Sequence, residues 1–170
     1  MRPCLLSLLP LLLSTSAALA QPVAALQPMA FLAGHCWKGE FPGGKQTDEH
    51  CFQWLYGGRM LRDVHTVRSP GKPDYVGETT YYHDAAEGKV AFLYVENSGG
   101  YSRGTMLQAA GGLDFPATQY VGAGGKALTY RVRWTPSGDA YEAASEMLVD
   151  GRWLPQFKLL LKKRRLILIE

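Results

Sequence analysis

Two pairs of adjacent glycines, Gly43-Gly44 and Gly57-Gly58, constrain the fold of this chain more than any other feature. Each stands between segments rich in aromatic and β-branched residues, as the tips of tight β-hairpins do. Setting both pairs at hairpin tips fixes the register of three successive antiparallel strands. Cys36 then falls opposite Cys51, Lys38 opposite Glu49, and His50 between Trp37 and His65. His35 and Asp63 both face Phe52 in the same register. A slip of one residue would turn Lys38 and Arg62 inward, so side-chain pattern and turn position agree. Two-residue turns place the cysteine pair at a hydrogen-bonded site, where backbones sit farther apart than at the alternate sites. A bulge near Trp37 or a slightly longer turn relieves that.

The remaining punctuation is also that of an all-β chain. Turn clusters recur at Pro70 to Pro73, Asp84 to Gly88, Asn97 to Gly100, Gly111-Gly112, Gly122 to Gly125, Pro136 to Gly138 and Asp150-Gly151. Short strands at such spacing predict a sandwich or a barrel. Gly39, Gly77 and Gly104 lie inside strand-like runs, where glycine marks bends that let a sheet curl. The expectation is a single antiparallel up-and-down β-barrel of about ten strands, wide enough to leave an interior cavity. A short helical or turn-like lead-in, Ala24 to Gly34, precedes it. Alternation puts Leu128, Tyr130, Val132 and Trp134 on one face of their strand, with Thr129, Arg131, Arg133 and Thr135 on the other. The inner set expected for the first three strands is Trp37, His50, Phe52, Trp54, Tyr56, Leu61, Asp63, His65 and Val67.

Residues 1–20 read as a signal peptide. Arg2 starts them, Leu5 to Leu13 form an apolar run, and Ala18-Leu19-Ala20 supply a small-residue cleavage site before Gln21. That run is shorter than the roughly 20 residues a membrane span needs, so no stable span is expected after cleavage. Residues 21–170 then form one domain, and a chain of about 150 residues buries roughly 70% of its unfolded surface. The expected location is periplasmic or secreted. Cys4 leaves with the leader, so Cys36 and Cys51 remain to pair in an oxidising compartment. Without Arg2, the basic side chains exceed the 15 acidic ones by two, which is no nucleic-acid signature. The basic run Lys162 to Arg165 reads as the solvated end of a last strand.

The segment Leu32-Ala33-Gly34-His35-Cys36-Trp37-Lys38-Gly39 resembles the Gly-x-Trp first strand of calycin, or lipocalin-like, barrels. It is similar to small bacterial lipocalin-like families of unassigned function, as are Gly57 to Leu61, Tyr75 to Thr79 and Asp150 to Trp153. The resemblance spans about Phe31 to Lys162 and is distantly nitrobindin-like. It implies a ten-stranded barrel with Trp37 plugging the closed end, and no settled activity. Haem-binding members of that wider group carry a proximal histidine near the C-terminus, whereas this chain has no histidine after His83.

Three readings of the interior stay open. A small apolar or amphipathic ligand would contact Trp37, His50, Phe52, Trp54, Asp63, His65, Tyr82, Tyr94, Tyr130 and Trp134, with the aromatic rings providing the pocket. Alternatively, His50 and His65 bind a metal or haem, with Asp63 or His35 as a further metal ligand. Or the barrel is filled, the histidines form a satisfied polar row beside Trp37, and the protein is an interaction module of the cell envelope. No catalytic residue is predicted. Ser98 and Ser102 flank a Gly-Gly turn, a composition unlike a nucleophile elbow, and Gly122 to Gly125 lack the setting of a phosphate loop. The sequence names no cofactor and no oligomeric state.

Overall fold

The computed structural model describes residues 22–164, and in it ten antiparallel strands close into one barrel. They are β1 (His35–Glu40), β2 (Thr47–Leu55), β3 (Met60–Arg68), β4 (Tyr75–Asp84), β5 (Lys89–Glu96), β6 (Tyr101–Ala109), β7 (Gly112–Val121), β8 (Ala127–Ser137), β9 (Ala140–Val149) and β10 (Arg152–Arg164). Each strand pairs with the next in sequence, and β10 returns to pair with β1. This is the up-and-down barrel that the turn spacing predicts. The signal-peptide reading falls on residues outside the described range, as do Arg165 of the basic run and residues 166–170 after it.

The predicted register of β1 to β3 holds along its whole length. Cys36 pairs with Cys51, Lys38 with Glu49, and His50 with both Trp37 and His65. The turn lengths differ from the prediction. Phe41 N–H donates to the Gln46 carbonyl at 3.0 Å, so four residues rather than two bridge that hydrogen-bonded pair. Alternating outward from it, Cys36 and Cys51 occupy a non-hydrogen-bonded site. Their Cα atoms stand 4.0 Å apart and the disulfide is formed. Lengthening a turn by one residue on each side keeps the pairing and reverses its parity, which removes the difficulty posed by a two-residue turn. The second connection is also four residues long, between the paired Leu55 and Met60. Its Tyr56, Gly57 and Gly58 have φ values of 49°, 67° and 85°. Tyr56 is therefore part of the turn and 73% exposed, not part of the interior as alternation alone suggests.

One end of the barrel is stoppered. The lead-in forms a 3-10 helix, Ala24–Met29, whose Leu26 and Met29 are fully buried together with Leu32. Val23 N–H donates to the Gly58 carbonyl at 3.0 Å, and Trp37 Nε1–H to the Leu32 carbonyl at 3.1 Å. These bonds tie the lead-in across the barrel end at the β2–β3 turn. Above the stopper lies an aromatic layer. Tyr141 packs edge-on to Trp37, with centroids 5.3 Å apart, and Trp134 packs against Tyr141 at 5.3 Å and Phe115 at 4.7 Å. Such pairs add about 0.5–1.5 kcal/mol each beyond the area they bury.

The outer face is laced by ion pairs across neighbouring strands. Glu49 accepts from Arg68 on β3 and Arg164 on β10, each at 3.0 Å, rather than from the directly opposite Lys38. Arg62 likewise reaches Glu78 on β4 at 2.6 Å instead of Gln53. Lys162, Lys163 and Arg164 are exposed on the closing strand, as their charge predicts. Among the described residues no helix is long and apolar enough to cross a membrane.

Candidate functional site

The interior is not filled. A cavity of about 380 Å³ runs above the aromatic layer, walled by Tyr81, Phe92, Phe115, Trp134, Leu159 and Leu161 near the stoppered end. Toward the other end it is lined by Tyr75, the first residue of β4, and Leu128, the second of β8. Leu128 is 38% exposed, so the mouth lies opposite the stopper.

Of the residues expected to contact a ligand, His50, Asp63, His65, Tyr94, Tyr130 and Trp134 line this cavity. Trp37 and Phe52 do not. They are buried beneath it in the core, and the Phe52 ring stacks on His50 with centroids 6.0 Å apart. Trp54 packs half-buried against the same core. Tyr82 is on the wrong face: Gly77, Thr79 and Tyr81 are the buried positions of β4, so its neighbour Tyr82 points the other way. His35 is also absent from the cavity wall. It sits edge-on to Trp37 at 6.3 Å, and burial together with Lys163 lowers its pKa from 6.5.

A polar cluster occupies the β2–β3 wall. The His50 Nδ1 lies 2.8 Å from Asp63 Oδ2, and its Nε2 lies 3.2 Å from Asp48 Oδ2. Both ring nitrogens thus face carboxylate oxygens, so a proton or another cation must stand between Nε2 and Asp48. The second imidazole is hydrogen-bonded at one nitrogen only. His65 Nε2 is 3.1 Å from the Tyr94 hydroxyl, while its Nδ1 is 3.4 Å from Asp48 Oδ1. Asp48 and Asp63 are 5% and 2% exposed. Burial opposes charge on His50, but Asp63 and Asp48 outweigh it and hold the pKa at about 10. Burial equally opposes charge on Asp48, yet His50 and His65 keep its carboxyl well below the usual range. The positions of His65 and Tyr94 depend on Gly77, which pairs with His65. A methyl group at Gly77 would overlap His65 Nε2 and the Tyr94 ring. Its absence leaves room for the imidazole.

Tyrosines of β4, β5, β7 and β8 continue the wall from His65 and line the rim. Tyr75 and Tyr94 share a short hydroxyl–hydroxyl hydrogen bond. Tyr130 donates to Ser102 Oγ at 2.9 Å, and Tyr120 donates to Glu96 Oε1 at 3.0 Å. Burial and the Glu96 carboxylate push the Tyr120 hydroxyl up to about 12. Glu96 also accepts from Ser98 N–H and Oγ–H, both at 2.6 Å, and from Gly100 N–H at 2.5 Å. The bonds from Ser98 and Gly100 close the β5–β6 turn and the one from Tyr120 ties β7 to it, which makes Glu96 a structural carboxylate.

Asp48, Tyr75, Tyr120, Ser145 and Gln156 are cavity residues that sequence reasoning missed. Asp48 had a signal, since it stands two residues before His50 on the same strand and so shares its face. Gln156 had none. It reaches the mouth through a register shift between Pro155 and Phe157, where it meets Ser145 Oγ at 2.9 Å. No protein-family model and no curated protein matches this chain.

Proposed function

We propose that this protein is an exported, lipocalin-like barrel that binds one small apolar or amphipathic molecule in its interior. The cavity of about 380 Å³ carries this reading. Small-molecule sites fall in the range of about 300–1,000 Å³ and combine mostly apolar walls with a few placed polar groups. The aromatic layer supplies the apolar part here. The Asp48–His50–Asp63–His65 wall and the tyrosine rim would orient a polar end. An unfilled interior also favours binding over the role of a solid interaction module. The closed ten-strand meander supports the lipocalin-like kinship. Export to the periplasm or medium is supported by the Cys36–Cys51 disulfide, a bond rare in reducing compartments, and by the leader-like residues 1–20.

Native mass spectrometry of the purified protein, with a fluorescence titration using an environment-sensitive naphthalene probe, tests the reading. Uptake of one probe per chain, with quenching of Trp134 emission, is expected. A folded protein that neither retains a co-purified compound nor takes up any apolar probe would rule it out.

A further inference from the structure

We propose that Asp48, His50 and His65 form a three-ligand site for a divalent transition metal of the zinc type, open to the barrel cavity. The three side chains offer one carboxylate oxygen and two imidazole nitrogens, all within 4.8 Å of one another. Zinc bonds to such ligands are about 2.0–2.2 Å long, and tetrahedral angles then separate neighbouring ligand atoms by about 3.3–3.5 Å. Asp48 Oδ2 to His50 Nε2 is 3.2 Å, and Asp48 Oδ1 to His65 Nδ1 is 3.4 Å. Each imidazole therefore stands at coordination spacing from one oxygen of Asp48, His50 from Oδ2 and His65 from Oδ1, and a modest side-chain rotation would gather the three groups on one ion.

Two further observations point to a cation. Asp48 is 95% shielded from solvent (5% exposed), and its Oδ1 has no hydrogen-bond partner among the described residues. The same holds for His65 Nδ1, the atom facing it. Buried polar atoms are almost always satisfied, and one ion between these groups would satisfy both. The other nitrogen of each imidazole is already engaged. Asp63 holds His50 at Nδ1 and Tyr94 holds His65 at Nε2, the outer-shell arrangement that orients metal-binding histidines and sets their tautomers. Two imidazoles and a carboxylate suit zinc, iron(II) or copper(II) better than calcium or magnesium, which prefer all-oxygen shells. Three protein ligands facing a cavity leave a fourth position for water or for a ligand's polar end. Asp48 is essential to the site, whereas His35 lies elsewhere.

Chelator-stripped protein, titrated with zinc by calorimetry and with cobalt(II) by visible absorption, reads the site without reference to any apolar ligand. About one zinc per chain is expected, with the d–d bands of a low-coordinate cobalt centre. Asp48→Asn and His65→Gln should each weaken zinc binding by more than about 100-fold, and the outer-shell Asp63→Asn by about 10–100-fold. His83→Gln, at an exposed histidine on β4, should bind like the unaltered chain. Near-UV circular dichroism identifies the variants that are folded. Unaltered folded protein that takes up neither metal overturns the proposal, whatever the variants do. So does zinc uptake that survives in folded Asp48→Asn or His65→Gln, or that disappears in His83→Gln.

Discussion

His50 reaches Asp63 diagonally across β2 and β3, Nδ1 to Oδ2 at 2.8 Å, while its directly paired neighbour is His65. A diagonal partner on the same face is within reach of a long side chain. The Asp63 side chain is 2% exposed and that of His50 15%, so losing the contact is costly. Asp63→Ala should destabilise the metal-free protein by about 3 kcal/mol, because it strands a buried imidazole beside one carboxylate only. Urea unfolding monitored by tryptophan fluorescence measures it. A change below about 0.5 kcal/mol, the size of an ordinary surface substitution, would mean that Asp63 does not hold the histidine.

Gly77→Ala tests how the second imidazole is seated. The added methyl group meets His65 and the Tyr94 ring, and small-to-large changes in packed interiors cost about 1–3 kcal/mol. Displacement of His65 should also appear in its imidazole NMR resonances, with those of the distant exposed His83 unmoved. Unshifted His65 signals at unchanged stability would show that the strand accepts a side chain there.

Glu96 should make stability acid-sensitive. Burial works to raise its pKa, but hydrogen bonds from Ser98, Gly100 and Tyr120 outweigh this and lower it below 4.5. A depressed folded-state pKa contributes stability above the unfolded value, and that contribution disappears as pH falls through the folded value. Unfolding midpoints of unaltered protein and Glu96→Gln should therefore converge below about pH 4.5 and separate above it. Equal separation at pH 3 and pH 7 would exclude Glu96 as the cause. Glu96→Ala at neutral pH should cost about 2–3 kcal/mol by stranding turn donors.

Replacing both Cys36 and Cys51 by serine reopens a loop of sequence separation 15. The chain-entropy relation gives a loss of about 3 kcal/mol. Thermal and urea unfolding of the double variant check the figure, and treatment of the unaltered protein with a thiol reductant should reproduce the loss.

The first three strands were legible because paired glycines, two cysteines and alternating faces all point to one register. The parity of the disulfide site was not, since turns of two and four residues give the same pairing and only backbone hydrogen bonding distinguishes them. Adjacent aromatics posed a similar difficulty. Of Tyr81 and Tyr82 one must face inward, and composition does not say which; the buried Gly77–Thr79–Tyr81 series does. Asp48 belongs to the same alternation as His50, two residues along one strand, so its place on the inner face is legible from the same pattern. Tyr75, Tyr120 and Gln156 could not be read at all. Closure of the barrel, which brings β4, β7 and β10 around one space, and a local register shift assemble them.

The lead-in stopper and the β1–β10 seam place the beginning and the end of the described chain at the same pole, where Cys36 pairs with Arg164. The opposite rim is built only of hairpin loops. Anything joined to either end of the described chain would therefore attach at the stoppered pole, away from the opening, and the rim loops could vary in length without disturbing that attachment.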